Sequence, residues 1–258
     1  MQYSTFAAID IGSYDVILEI FEISKKQGIR SVDKICHRME LGKDTYTLGK
    51  IRPEMEEELC RVLADFVRIM EGYRVDDYRA TASSAISEAS NSLYVLGKIH
   101  QLTGLSVTVL SNSEQRFLSY KALAAMEDNF NKIIEKGTAI LDLDGGSFQI
   151  SLFDKDALVT TQNIRMGSLR IRERLAGIQS ETEHYEEMVE ELIWNEVSSF
   201  KKMYLKDRKI ENIMLIGDVF TDSVYQNIEE KTTKIISREN FNTWYEKIIR
   251  QSPMELAV

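Results

Sequence analysis

Apolar and polar positions alternate over residues 5 to 11 and 15 to 24, and the two runs meet at Gly12-Ser13, a pattern that predicts two strands joined by a tight turn. Residues 31 to 41 continue it as a third strand. The period then changes. After Arg52-Pro53-Glu54, the residues Met55, Leu59, Val62, Leu63, Phe66, Val67 and Met70 recur at spacings of three and four, one apolar face of a helix whose first turn suits Pro53. A strand over 77 to 82, a helix over 85 to 103, a strand from Ser106 to Leu110 and a helix from Ser113 to Ala125 complete a unit of order βββαβαβα.

The second half repeats that order. Thr138 to Leu143 and Phe148 to Phe153 predict a hairpin around Asp144-Gly145-Gly146-Ser147, and Leu158 to Ile164 a third strand. A long helix over 183 to 205, a strand from Asn212 to Ile216, a short helix, and a final strand and helix to residue 251 follow. A repeat at this level predicts an α/β protein on the actin-like, ribonuclease H-like plan, with a ligand cleft between two βββαβαβα units. The expected domains are residues 1–128 and 129–258. No Pro/Gly/Ser-rich stretch separates them, so the boundary near 125 to 136 is expected to be a helix-connected hinge.

Composition narrows the function. The 258 residues, 43% of them hydrophobic, are enough for two cores. A formal charge of −9 does not suit general binding to nucleic acid, so an anionic ligand must meet a local site. Cys36 and Cys60 lie far apart without metal-ligand spacing and read as free, buried thiols in a reducing compartment; His37, His100 and His184 fall in no ligand pattern. The N-terminus enters an apolar strand without a basic region or a cleavage site, and no apolar run reaches the roughly 20 residues of a membrane span, so a cytoplasmic protein away from membranes is expected.

The chemistry concentrates at the two hairpin turns. Gly12-Ser13 and Gly145-Gly146-Ser147 place small residues where backbone N–H groups can approach an anion and a hydroxyl can add a donor. Asp10 and Asp142 stand at the ends of the strands leading into those turns, where oxygen ligands could hold a hydrated Mg²⁺ against phosphate oxygens. Ile216-Gly217-Asp218 is a third turn that could add to a phosphate or nucleotide pocket.

Several segments together resemble the exopolyphosphatase and guanosine pentaphosphate phosphatase family over nearly the whole chain. Ala8-Ile9-Asp10-Ile11-Gly12-Ser13 looks like its first phosphate motif, and Met39-Glu40-Leu41-Gly42-Lys43 with Gly49-Lys50-Ile51 like its Leu-Gly-rich segment. The run Ala82-Ser83-Ser84-Ala85-Ile86-Ser87-Glu88-Ala89-Ser90-Asn91 is similar to its Ala-Thr-Ser-Ala-Leu-Arg segment, and Leu110-Ser111-Asn112-Ser113-Glu114-Gln115 to its Ile-Ser-Gly-Glu-Glu-Glu segment. Leu141 to Ser147 resembles the second phosphate motif, and Arg165-Met166-Gly167-Ser168-Leu169-Arg170 the segment after it. The resemblance implies polyphosphate or a guanosine polyphosphate nucleotide as ligand, Mg²⁺ held by Asp10 and Asp142, phosphate contacts from Gly12, Ser13, Ser84, Ser87, Gly145, Gly146, Ser147 and Gly217, and a homodimer. It also implies a further helical segment, which this sequence does not carry after residue 251.

The departures fall on the residues used for chemistry. The glutamate taken as the base that activates water is Gln115 here, and a carboxamide cannot accept that proton. The glutamate of the metal and water network is Gln149, and the arginine of the Ala-Leu-Arg segment is Ser87. Asp144 replaces a glycine and Phe148 a threonine. Glu114 is the available substitute base; Glu88 and Glu40 are further acidic candidates. Two readings follow: a hydrolase that removes terminal phosphate, or a binding and regulatory protein that keeps the clamp without the chemistry. An actin-like ATPase or sugar kinase shares the hairpins but carries more elaborate adenosine-binding segments than Ile216-Gly217-Asp218.

Overall fold

The computed structural model describes residues 3–26, 28–127, 129–179, 184–206, 208–217 and 237–250. Strands β1 (Ser4–Ile11), β2 (Asp15–Ser24) and β3 (Gly28–Arg38) form an antiparallel meander, and β4 (Asp77–Ala82) and β5 (Val107–Val109) extend it in parallel from β1. The second sheet contains β6 (Thr138–Leu143), β7 (Phe148–Asp154), β8 (Ala157–Ile164) and β9 (Asn212–Ile216). Its order, β8-β7-β6-β9, matches the β3-β2-β1-β4 portion of the first, which runs β3-β2-β1-β4-β5. The chain has the expected actin-like α/β fold built on two equivalent sheets.

Burial explains the patterns. Val16, Leu18 and Ile20 of β2 are fully buried on one face, whereas Phe148 to Phe153 of β7 are buried on both. Helix α1 (Leu41–Leu48) is followed by α2 (Pro53–Tyr73), which turns Leu59, Val62, Leu63, Phe66 and Met70 into the core of the first sheet. Burying each such side chain contributes about 1.5–3 kcal/mol.

Two differences from the expected elements have local causes. The third strand ends at Arg38, because Met39 and Glu40 both donate their N–H to Tyr14 O and Glu40 adopts a left-handed conformation (φ 46°), after which α1 begins. The helix expected over 85 to 103 is two, α3 (Ser84–Ser87) and α4 (Ser92–Thr103). Between them the Asn91 carboxamide accepts from Ile51 N at 3.0 Å and donates to Ile51 O at 2.8 Å, fastening the loop before α2 at the cost of helix continuity. Helix α5 (Asn112–Met126) and the short α6 (Phe130–Ile134) precede the second sheet, and an unexpected helix, α7 (Ser168–Gln179), follows β8, burying Leu169, Ile171 and Leu175. The expected 183 to 205 helix is α8 (Tyr185–Phe200) with a π-helical end, Lys201–Leu205. Helix α9 (Arg238–Ile249) is the last described element, and the short helix and strand expected over 218 to 236 lie outside the described residues.

The halves meet along α1 and α7, each of which follows the third strand of its own sheet. Helix α5 starts beyond β5 but places Tyr120 and Leu123 against Phe130, Ile134 and Phe153 under the second sheet. Cys60 is buried in the first core, whereas Cys36 lies exposed on β3 rather than buried. No helix among the described residues is long and apolar enough to cross a membrane.

Candidate functional site

The turn between β1 and β2 is closed by the Gly12 N–H donating to Asp15 O at 2.9 Å, and the turn between β6 and β7 by Asp144 N–H donating to Ser147 O at 3.0 Å. They touch: a Cβ on Gly145 would lie 3.4 Å from Ser13 Cβ. The joint is filled by Tyr46 of α1. Its hydroxyl lies 2.6 Å from Ser13 Oγ and 2.8 Å from Ser84 Oγ, and a Cβ on Gly146 would come within 2.2 Å of it. Burial raises the Tyr46 pKa, while the two serine hydroxyls and Arg170 partly offset that rise.

Arg170 of α7 locks the joint from the other half. Its guanidinium stacks 3.8 Å from the Tyr46 ring centre, Nε donates to Gly146 O at 2.8 Å, and Nη2 reaches both Glu88 carboxylate oxygens at 3.0 Å. Arg172 pairs with Glu40 through two hydrogen bonds of 3.1 and 2.6 Å, and that bonding lowers the Glu40 pKa. Glu40 and Glu88, read from the sequence as spare acids, are therefore ion-pair partners across the two halves.

Beside this joint lies a polar cleft. Asp10, Gly12, Ser83, Asp142, Asp144 and Gly217 line one cavity with Ser13 and Gln115. An adjoining pocket shares Gln115, Asp142 and Asp144 and adds Asn112, Arg116, Ser147, Gln149 and Asn163. Thr81 and Ser119 hydroxyls donate to Asp10 Oδ1 and Asp142 Oδ2, both at 3.4 Å. Gly217, at φ 124°, packs so closely that a Cβ there would sit 2.1 Å from Leu143 O. Among the described residues that line either pocket, Arg116, in the adjoining one, is the basic residue.

The residues expected from the sequence divide between cleft and joint. Asp10, Gly12, Gln115, Asp142, Ser147, Gln149 and Gly217 line the cleft. Ser13 also reaches it but is fully buried, with its hydroxyl held by Tyr46, and Ser84 shares that bonding. Gly145 gives its N–H to Asp144 Oδ1 at 2.6 Å, and Gly146 accommodates Tyr46. Ser87 is exposed at the end of α3 and lines neither pocket. Glu114 lines neither: its carboxylate accepts from Ser111 N at 2.9 Å and Ser111 Oγ at 2.7 Å in a capping box that lowers its pKa. A carboxylate held that way is poorly placed to serve as a base for the cleft. Sequence reasoning did not single out Tyr46, Ser83, Arg116 or Asn163. Each lies in or beside a motif already noted, but nothing in its spacing shows the direction of its side chain.

Asp10, Asp142 and Asp144 offer carboxylate oxygens, and among the described residues no group of three or more His, Cys, Asp or Glu converges as a complete metal cage. Carboxylates of this kind could hold a hydrated cation through a few protein oxygens. The histidines are engaged elsewhere, His37 with Glu58, His100 with Leu105 O and His184 with Glu187.

Known proteins share this architecture. The profile of the Ppx/GppA phosphatase family matches residues 19–257. A bifunctional 3-dehydroquinate synthase/phosphatase of Fusobacterium nucleatum is 22% identical over 238 residues, covering 87% of this chain and 34% of the relative. Exopolyphosphatase 1 of Mycobacterium leprae is 25% identical over 144 residues, covering 55% of this chain and 41% of the relative. The match thus spans about a third to two-fifths of these relatives' lengths. Among solved structures, an exopolyphosphatase from Cytophaga hutchinsonii superposes with a TM-score of 0.80 at 17% identity, covering 96% of this chain and 81% of the other. An Aquifex aeolicus Ppx/GppA protein gives 0.71 at 22% identity, covering 95% and 79%.

Proposed function

This chain belongs to the Ppx/GppA phosphatase family, and from that premise we propose that it binds the phosphate groups of a phosphoanhydride, polyphosphate or a guanosine polyphosphate nucleotide, between its sheets and has lost efficient hydrolysis. The observation that carries the reading is the cleft wall itself. Gln115 and Gln149 stand beside Asp142, and Glu114, the acid next to Gln115 in sequence, is tied into a helix cap. A carboxamide donates and accepts hydrogen bonds but takes up no proton. General-base assistance is worth roughly 10² to 10⁴-fold, so this arrangement favours ligand retention over turnover. Asp10 and Asp142 would hold Mg²⁺ against the phosphates, and Arg116 would supply a fork matched to phosphate oxygens. The chain then acts as a phosphoanhydride receptor whose two halves report occupancy by closing.

Hydrolysis is the second reading, supported by the names of the relatives and by the retained Asp10 and Asp142. Phosphate release from short polyphosphate, long polyphosphate and guanosine pentaphosphate, with Mg²⁺ and near-stoichiometric protein, separates the two. The expected outcome is binding of tripolyphosphate with no multiple turnover, and a gain of about 10²-fold in single-turnover release on Gln115→Glu. Steady turnover by the natural sequence that disappears on Asp142→Ala would make it a working hydrolase.

A further inference from the structure

One polar atom on the cleft wall has no partner among the described residues. Ser83 is 7% exposed, its Oγ makes no hydrogen bond to any of the described residues, and it lines the cavity shared with Asp10, Ser13 and Asp142. Its backbone is fully used: the N–H donates to Ile11 O at 3.2 Å, and the carbonyl accepts from Ile86 N and Ser87 N, both at 3.1 Å. The preceding residue, Ala82, pairs with Ile11 at the end of β1, which fixes Ser83 beside the Gly12 turn. The neighbouring Ser84 hydroxyl faces the other way, into Tyr46 and Ser13.

Leaving a buried hydroxyl unpaired costs about 1–3 kcal/mol, so its retention on a cleft wall points to a partner that arrives with the ligand. The acidic side chains on the same wall, Asp10, Asp142 and Asp144, are acceptors when ionised and cannot donate to an anion. We propose that Ser83 Oγ donates a hydrogen bond to an anionic oxygen of the bound phosphoanhydride, which makes Ser83, rather than Ser84, the ligand-contacting hydroxyl of this segment. The assignment rests on the reading of the cleft as a phosphoanhydride site.

The two roles open to this hydroxyl, ligand contact and structural support, move stability and affinity differently. Calorimetric titration of the full chain with tripolyphosphate in Mg²⁺, paired with melting curves of the ligand-free protein, reads both. Ser83→Ala is expected to leave the ligand-free Tm unchanged or higher, because it deletes an unsatisfied buried group, while weakening tripolyphosphate binding about tenfold or more. Ser83→Thr, which keeps the hydroxyl, is expected to hold affinity within a few-fold. Equal affinity in Ser83→Ala and the natural sequence would overturn the assignment and leave the binding reading intact. A Ser83→Ala chain that melts lower or fails to fold would overturn it too, by showing that the hydroxyl has a structural partner. A folded natural protein that binds no tripolyphosphate would remove both this assignment and the reading beneath it.

Discussion

The turn at Gly12-Ser13 and the turn at Asp144 to Ser147 occupy the same place in two equivalent sheets and close with the same backbone hydrogen bond, yet they do different work. The first lines the cleft through Gly12 and Ser13. Its serine hydroxyl is buried against Tyr46 and Ser84. The second lines the cleft through Asp144 and Ser147, while its Gly146 packs against Tyr46 in the joint, and the Asp144 carboxylate folds back onto the Gly145 N–H. Equivalent motifs therefore do not assign equivalent roles; what the neighbouring elements place against each turn does.

Gly146→Ala is the harshest test of that contrast. The added Cβ would meet Tyr46 Oη at 2.2 Å and Ser84 Oγ at 2.5 Å, and the Tyr46 ring is held in place under Arg170. A loss of about 2–3 kcal/mol is expected by calorimetric melting, from the overpacking itself, with part recovered when Tyr46→Phe is added. Full stability in Gly146→Ala would mean that the two turns are not locked together in solution.

Asp144→Gly sharpens the contrast from the second turn. It frees the Gly145 N–H and removes a like charge from the phosphate path, so tripolyphosphate affinity is expected to rise about tenfold and to depend less on Mg²⁺ in titration. Unchanged affinity would show that the carboxylate already serves through a metal ion.

Tyr46→Phe probes the joint more gently, at about 1 kcal/mol for the hydroxyl's bonds. Because burial raises the Tyr46 pKa, the folded state keeps the phenol neutral. Its contribution is intact below the ordinary tyrosine value of about 10 and is lost as pH rises beyond it. The Phe variant is expected to show a shallower alkaline fall in Tm.

The smallest effect is at the outer edge of the joint. Glu40→Gln breaks the pair with Arg172, whose side chain is 38% exposed, so solvent screening limits the loss to no more than about 1 kcal/mol. The Glu40 pKa is lowered by Arg172, so the pair stabilises above the ordinary carboxylate range and is lost as pH falls below about 4. The Gln variant should show less acid sensitivity in that window.

Much of this molecule could be read from sequence where periodicity reports a large, continuous face. The β1–β2 and β6–β7 hairpins and the apolar stripe of α2 were of that kind, as was the repeat that implied two equivalent sheets, because side chains alternate across a strand and return every three to four residues along a helix. That positions 115 and 149 carry carboxamides was equally plain, since it depends only on residue identity. Helix α1 and the break at Asn91 were not legible, because a left-handed Glu40 and a carboxamide clasped to Ile51 are decided by contacts distant in sequence. The same holds within the site. Sequence determined which chemical groups the chain has near its turns. Only the tertiary structure decided that Ser84 faces the joint and Ser83 the cleft, that Glu114 caps a helix and that Arg116 lines the pocket, because adjacent residues point in different directions and packing between the halves selects which of them faces the cleft.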